Sequence, residues 1–368
     1  MLTIKAIDGT KNRKSELDLI NFDEKEKWDA IVKSFTNFDI YYLTSYIKAF
    51  EIHGDGVPLL FYYDDENFKA INVVMKRDIS NDMRFRGKIE SNVFYDIMTP
   101  YGYGGFLIEG NVTQASLKKL EHAYCTLCLK EGIISEFVRF HPVKNNSEYM
   151  KEIYDISLLG KTITMPLSSQ NQILSNLTSE KRKRIRKAKK LGFEIYWGRS
   201  PKLIAEFIRL YNSTMENNHA ADYYYFTSEF FESILYDLKY NSSVFYAVDN
   251  KENIVAMAIF LYINEQINCF LSASNKELDH LALTNLIMYE VACWGSENGY
   301  KTLHMGGGVG GKEDSLYHFK KAFNKNSATN FILGKKIFNE EKYGELVEIR
   351  RIADDFNEET QYFPIYRS

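Results

Sequence analysis

Cysteine is scarce in this 368-residue chain, and four thiols are too few to staple a protein of this size, which excludes a disulfide scaffold. Cys125 and Cys128 form a C-x-x-C pair, but it lies within a helical pattern and lacks a second ligand pair. It therefore reads as two packed thiols, and no metal site is expected. Such thiol usage suits the reducing cytoplasm. Only six prolines occur, which argues against long linkers. No apolar run approaches the roughly 20 residues of a membrane-spanning helix. Residues 1–5 lead into polar sequence without the apolar core of a signal peptide. Also missing are the G-x-S-x-G elbow, the H-E-x-x-H zinc helix and the G-x-x-x-x-G-K-[ST] phosphate loop.

Aromatic residues are in excess, at 15%, with 26 Tyr and 25 Phe against 3 Trp. Much of this is core, but tyrosine also carries a hydroxyl suited to lining polar clefts. Hydrophobic residues at 45% and charged residues at 26% are globular proportions, and the length accommodates two domains. The net charge of −3 conceals a block, residues 181–190, in which every position but Ile185 and Ala188 is basic. A basic block on an acidic body marks a local anion contact and speaks against general DNA coating.

The second half reads most clearly. Thr178 or Ser179 caps a helix through the basic block, and Gly192 stops it. A strand at 193–197 is followed by Leu203, Phe207, Leu210 and Tyr211 at helical spacing, then by a helix at 228–238. Strands at 243–249, 254–263 and 267–274 are joined by turn chemistry. A helix over 281–298 ends at Gly299. The strand 302–305 enters Gly306-Gly307-Gly308-Val309-Gly310-Gly311, and a helix at 315–323 and a strand at 330–333 close the series. This is the element order of an acetyltransferase-like (GNAT) domain. The first half repeats much of it: helices at 25–35 and 44–53, strands at 58–63, 69–76 and 93–98, a helix at 114–130 and a strand at 133–140. The halves share order, not sequence. The expected fold is α/β with a mixed sheet, in two tandem GNAT-like domains. These are 1–155 and 156–368, the second including the basic helix 178–191, with the join between 145 and 162.

Three features can carry chemistry. On the basic helix, Ile185 and Ala188 form a thin apolar seam, and the cations point outward. Solvent can neutralise them, and so can phosphates of tRNA, of a nucleotide sugar or of lipid headgroups. Gly306-Gly307 after a strand lets an anion or a substrate backbone approach closely, or is merely a tight turn. In residues 315–323, Leu316, Phe319 and Phe323 form the expected buried stripe. Lys320 beside it places a cation at the edge of a cleft, where it suits an oxyanion developing on a carbonyl. The histidines are scattered and name no base on their own.

Taken together, four stretches resemble the Fem family. They are Pro100-Tyr101-Gly102-Tyr103-Gly104-Gly105, Glu136-Phe137-Val138-Arg139-Phe140-His141-Pro142, the basic helix, and Met305-Gly306-Gly307 followed by Leu316-Tyr317-His318-Phe319-Lys320. The likeness spans residues 44–333 and is to the compact members, without a coiled-coil insertion. It implies two GNAT-like domains and transfer of an amino acid from aminoacyl-tRNA onto an amine of a peptidoglycan precursor. The family's Phe-Lys pair matches Phe319-Lys320, making Lys320 the expected oxyanion stabiliser. Tyr101, Tyr103, Arg139, Tyr224, Gly306 and Gly307 become candidate substrate contacts. Lys181, Arg182, Arg184 and Arg186 become candidate contacts to donor phosphates.

Two departures qualify this. Tyr224-Tyr225-Phe226-Thr227 stands where compact Fem enzymes carry an arginine for the precursor's diphosphate, which puts that acceptor in question. Residues 274–283 lack the glycines with which acyl-CoA-using GNAT domains take a pyrophosphate, which favours charged tRNA over coenzyme A. The expectation is therefore a cytoplasmic acyltransferase or aminoacyltransferase without a resident cofactor. Its acceptor is an amine on a nucleotide- or lipid-linked cell-wall precursor, and it has access to the inner membrane surface. Asp96 and His304 are candidate proton acceptors. Two alternatives remain: a coenzyme A-dependent N-acyltransferase acting on a nucleotide-linked amino sugar, and a non-catalytic RNA- or membrane-surface-binding protein.

Overall fold

The computed structural model describes residues 16–281, 283–353 and 356–368; residues 1–5, considered above, lie outside these. The first half comprises β1 (Glu16–Asn21), α1 (Lys25–Lys33), α2 (Thr44–His53), β2 (Val57–Asp64), β3 (Phe68–Asp78), β4 (Tyr95–Met98), β5 (Leu107–Gly110), α3 (Gln114–Lys130) and β6 (Ile133–Arg139). After it come β7 (Asp155–Pro166), α4 (Gln170–Asn176), α5 (Ser179–Lys190), β8 (Glu194–Gly198), α6 (Pro201–Asn217), α7 (Ser228–Tyr236), β9 (Ser242–Val248), β10 (Ile254–Ile263) and β11 (Gln266–Ser274). The chain closes with α8 (Leu283–Glu297), β12 (Thr302–Gly307), α9 (Ser315–Lys321), β13 (Thr329–Ile337) and α10 (Glu340–Arg351).

Local chemistry explains most boundaries. Thr113 opens α3 with a capping box to Ser116. Thr178 caps α5 through the Lys181 amide, and Gly192 ends it at φ +83°. Ser200 caps α6 and Pro201 occupies its first turn. The central strand β10 is buried at all but its end residues, which is why it reads as a continuous apolar run instead of an alternation.

The strands form one sheet in the order β1-β2-β3-β4-β6-β13-β7-β12-β11-β10-β9-β8, with β5 pairing β3 off this path. Each half contributes one parallel pair at the same point in its order, β4 with β6 and β11 with β12. The mixed α/β, tandem-GNAT fold read from the sequence is thus present. β7 was not foreseen, and β13 is longer than the strand read at 330–333; both bear on how the halves join. β7 begins inside the segment read as the join, and β13 pairs antiparallel with both β6 and β7. The last strand of the chain therefore completes the first half's side of the sheet.

Helices cover both faces. On one, α1 and α2 meet α6 and α7 in a single apolar cluster that spans the halves, with Phe50 and Phe230 at 5.3 Å between ring centres. On the other face, α3 covers the first half, and α4, α5 and α8 cover the second. Burying side chains such as Phe50, Phe230 and Trp28, each fully excluded from solvent, contributes roughly 1.5–3 kcal/mol apiece.

Candidate functional site

The parallel pair β11/β12 holds register over only three residues, ending at Asn268 and His304. Beyond that point β11 runs on to Ser274 and β12 to Gly307, so the strands part and open a crevice at their C-terminal ends. Such a crevice is where ligands enter open α/β sheets. Asn268, at the fork, donates to Asp39 at 3.4 Å, and Asp39 pairs with His141 at 3.1 Å. These buried bonds tie the fork of the second half to the end of β6 in the first.

His304 is buried. Its Nδ1 lies 2.8 Å from the Thr164 hydroxyl on β7, and its Nε2 lies 3.0 Å from the Tyr103 hydroxyl. Burial, with the nearby His141 and Lys320 in support, pulls its pKa down to about 3, so the imidazole is neutral at physiological pH. Tyr103 reaches this point from the glycine-rich loop after β4. The Gly104 amide, bonded to the Arg139 carbonyl at 2.8 Å, anchors that loop, and the ring packs on Tyr41 and Phe331. Burial raises the Tyr103 phenol well above its ordinary pKa.

Lys320 projects from α9 and donates to the Gly307 carbonyl at 2.6 Å. Its helix is docked by Asp314, which accepts from the Tyr317 and Val309 amides at 2.8 and 3.0 Å. Burial lowers the Lys320 pKa, while Cys269 and Asp314 act in the opposite direction. Gly306 adopts φ +73°, and a Cβ placed there would sit 3.4 Å from Lys320 Nζ and 3.7 Å from the Tyr103 hydroxyl. The glycine thus keeps a space of atomic size open between an ammonium and a phenol. On α9 itself the expected stripe is corrected: Tyr317 and Phe323 are buried, whereas Leu316 is 40% exposed. The helix sits over β12 and β7 with its Tyr317 side turned inward.

A pocket of about 420 Å³ lies between α5, α9 and the N-terminus of α8, lined by Lys181, Arg184, Thr284, Asn285, His318 and Phe319 among others. The sequence placed all the cations of α5 outward, but Lys181 turns inward. It is 7% exposed, donates to Asn285 Oδ1 at 2.6 Å, and lies 3.6 Å above the Phe319 ring. Burial, reinforced by Arg184, lowers its pKa to about 7. Arg182 instead donates to the Leu174 and Leu177 carbonyls at 3.1 and 2.6 Å, closing the end of α4. Arg184 pairs with Glu180 at 2.7 Å, and the exposed Arg186 donates to the Arg182 carbonyl. Of the four candidate anion contacts, only Lys181 and Arg184 line this pocket.

Tyr101 and Tyr224 stand on either side of Tyr223 in the aromatic seam where the halves pack together. Tyr101 stacks on Phe50 and contacts Phe270 of β11, next to Cys269. Its pKa is pushed up to about 12 by burial. Tyr223 donates to Asp55 at 2.9 Å and lies between Tyr101 and Tyr224. Arg139 donates to the Thr99 and Pro100 carbonyls at 3.1 Å each, and its buried Nε has no hydrogen-bond partner among the described residues. Asp96 is committed elsewhere. Burial acts to raise its pKa, but Arg77 and Arg367 outweigh that and hold it below the usual range. Sequence reasoning missed Thr164, Cys269, Asp55 and Tyr223; the aromatic excess was the one signal that pointed toward Tyr223. Among the described residues, no group of three or more His, Cys, Asp or Glu is placed to hold a metal. No helix there is long and apolar enough to cross a membrane.

Residues 175–321 match the family model of the acetyltransferase (GNAT) domain, and the sheet and helices of the whole chain form a tandem-GNAT fold. That fold is Fem-like. FemX aligns with a TM-score of 0.65 at 13% identity, covering 90% of this chain and 99% of FemX. L-PGS from Bacillus licheniformis aligns at 0.54 and 13%, covering 88% and 96%. A tandem GNAT protein from the clavulanic acid biosynthesis pathway aligns at 0.50 and 6%, covering 89% and 99%. Among curated proteins, none matches this chain. The domain match supports an acyltransferase.

Proposed function

We propose that this protein transfers an aminoacyl group from a charged tRNA to an amine of a nucleotide- or lipid-linked cell-envelope precursor. The observation that carries the reading is the position of Lys320, whose ammonium borders the gap kept open by Gly306. In the reaction the amine nitrogen attacks the ester carbonyl, and the C–N bond forms as the carbonyl oxygen becomes an oxyanion. The C–O bond then breaks, and the ribose oxygen takes up the proton released by the amine. Lys320 stabilises the oxyanion, the group whose charge grows most toward the transition state.

The pocket beside α8 holds the donor's phosphates. A buried lysine is costly in its charged form unless an anion accompanies it, and a phosphate beside Lys181 and Arg184 supplies one. The acceptor is received at the seam around Tyr101, Tyr224 and Arg139, and an acceptor group that reached the buried Arg139 Nε would supply the partner it lacks among the described residues. The reading needs no resident cofactor. Coenzyme A as donor is the second reading, because its diphosphate suits the same cations. Residues Lys276–Leu281 form a 3-10 turn there in place of a glycine loop, which favours tRNA.

The test is incubation of the purified protein with labelled aminoacyl-tRNA pools, or with acetyl-CoA, in the presence of amine-bearing envelope precursors. Label passing from tRNA into an acid-stable amide is the expected result. Thiol release from acetyl-CoA instead would establish the second reading. Retention of RNA or anionic vesicles without transfer would replace both with a binding protein.

A further inference from the structure

The gap at Gly306 has two walls, and only one of them is Lys320. The other is the Tyr103 hydroxyl, which ends a buried row of three groups: Thr164 Oγ1, the His304 ring and Tyr103 Oη. Either direction of this row leaves one hydroxyl proton over, so the direction turns on where that proton can find an acceptor. The Thr164 hydroxyl and the Tyr103 hydroxyl have no other side-chain or backbone partner among the described residues. If Tyr103 donated to Nε2, Nδ1–H would donate to Thr164, and the Thr164 proton would be left with no acceptor in a part-buried site, at a cost. In the opposite direction, Thr164 donates to Nδ1 and Nε2–H donates to Tyr103 Oη. The Tyr103 proton is then left facing the gap. Every donor has an acceptor once a substrate oxygen sits there.

We propose that Tyr103 is a second oxyanion donor, opposite Lys320, and that Thr164 and His304 are positioning residues that fix the direction of its proton. This rests on the transfer reading above. It moves Tyr103 from lining the acceptor site to touching the reacting oxygen. His304 is thereby a fixed dipole and not a proton acceptor, in keeping with its pKa, which burial lowers. Chains of hydrogen bonds of this kind polarise one another in a low-dielectric site, so the phenol donates more strongly than an isolated tyrosine.

Two measurements test this. The first is independent of activity: ¹⁵N NMR of ring-labelled histidine in the intact protein, with His304→Gln identifying the signal. A proton on Nε2 and a bare Nδ1 are expected; a proton on Nδ1 would overturn the proposed direction even if transfer is observed. The second uses whichever donor supports transfer. Tyr103→Phe lowers kcat roughly a hundredfold with little change in KM. Thr164→Val lowers it in the same sense, Thr164→Ser recovers most of that loss, and Thr164→Val added to Tyr103→Phe costs nothing further. Additive losses, or a Tyr103→Phe defect confined to KM, would overturn the role. Absence of transfer by the wild-type protein would refute the transfer reading and with it the catalytic role of Tyr103, whatever the NMR result.

Discussion

Gly306 is the residue on which the proposed chemistry depends most narrowly. It combines a left-handed backbone with the absence of a side chain where one would stand between Lys320 and Tyr103. Ala at 306 fills that space and strains the backbone by roughly 1 kcal/mol or more. The expected outcome is loss of most transfer activity with donor binding retained, read by steady-state rates alongside a donor titration. Full activity in Gly306→Ala would show that the gap holds no reacting atom. Lys181 offers a residue-scale test that needs no substrate. Its pKa in the folded chain is about 7, against an ordinary 10.5. The folded state therefore binds this proton less tightly than the unfolded one, and Lys181 disfavours folding most below pH 7. That penalty fades as pH rises toward 10.5. Lys181→Met should raise the melting temperature most near pH 6 and progressively less toward pH 10. A constant difference across that range would contradict the burial argument.

At the scale of elements, α5 divides its cations between two tasks. Arg182 closes α4 through two carbonyls, whereas Arg184 faces the pocket and makes an exposed pair with Glu180. Arg182→Ala is expected to cost about 1–3 kcal/mol of stability and to leave donor affinity nearly intact. Arg184→Ala should weaken donor binding and flatten its salt dependence with little thermal effect, because exposed pairs contribute little. Chemical denaturation and salt-dependent binding of the two variants distinguish these roles. The sequence alone could not make this division. It shows a run of like charges, and which of them turns inward depends on Asn285 and Phe319, more than a hundred residues away.

The elements themselves were largely legible. The cap at Thr178, the stop at Gly192 and the apolar run of β10 located their helix and strand within a few residues. β7 escaped because its first half, Asp155 to Gly160, is mostly solvent-exposed and carries no alternation. It becomes a strand by pairing with β13 and β12. The site was legible in part for the same reason. Lys320 and the glycines stand in contiguous motifs, whereas Thr164, Cys269 and Asp55 reach the site through strand register and packing, which leave no local mark.

For the whole molecule, β13 is decisive. It pairs with β6 on one side and β7 on the other, and the cluster around α2 and α7 also spans the halves. The two halves should therefore unfold together. A single calorimetric transition with matching calorimetric and van't Hoff enthalpies is expected, and two resolved transitions would show that the halves are independent. Removing residues 329–368 would bare the edges of β6 and β7 and promote aggregation. The shared sheet also sets the chemistry, because the fork of β11 and β12 comes from one half and Tyr103 from the other.

The most direct test of the account is the single-turnover transfer rate of Lys320→Ala beside the wild type, with thermal unfolding of both. The account predicts a loss of about a hundredfold or more with a nearly unchanged melting temperature. A folded Lys320→Ala protein that transfers at the wild-type rate would contradict it.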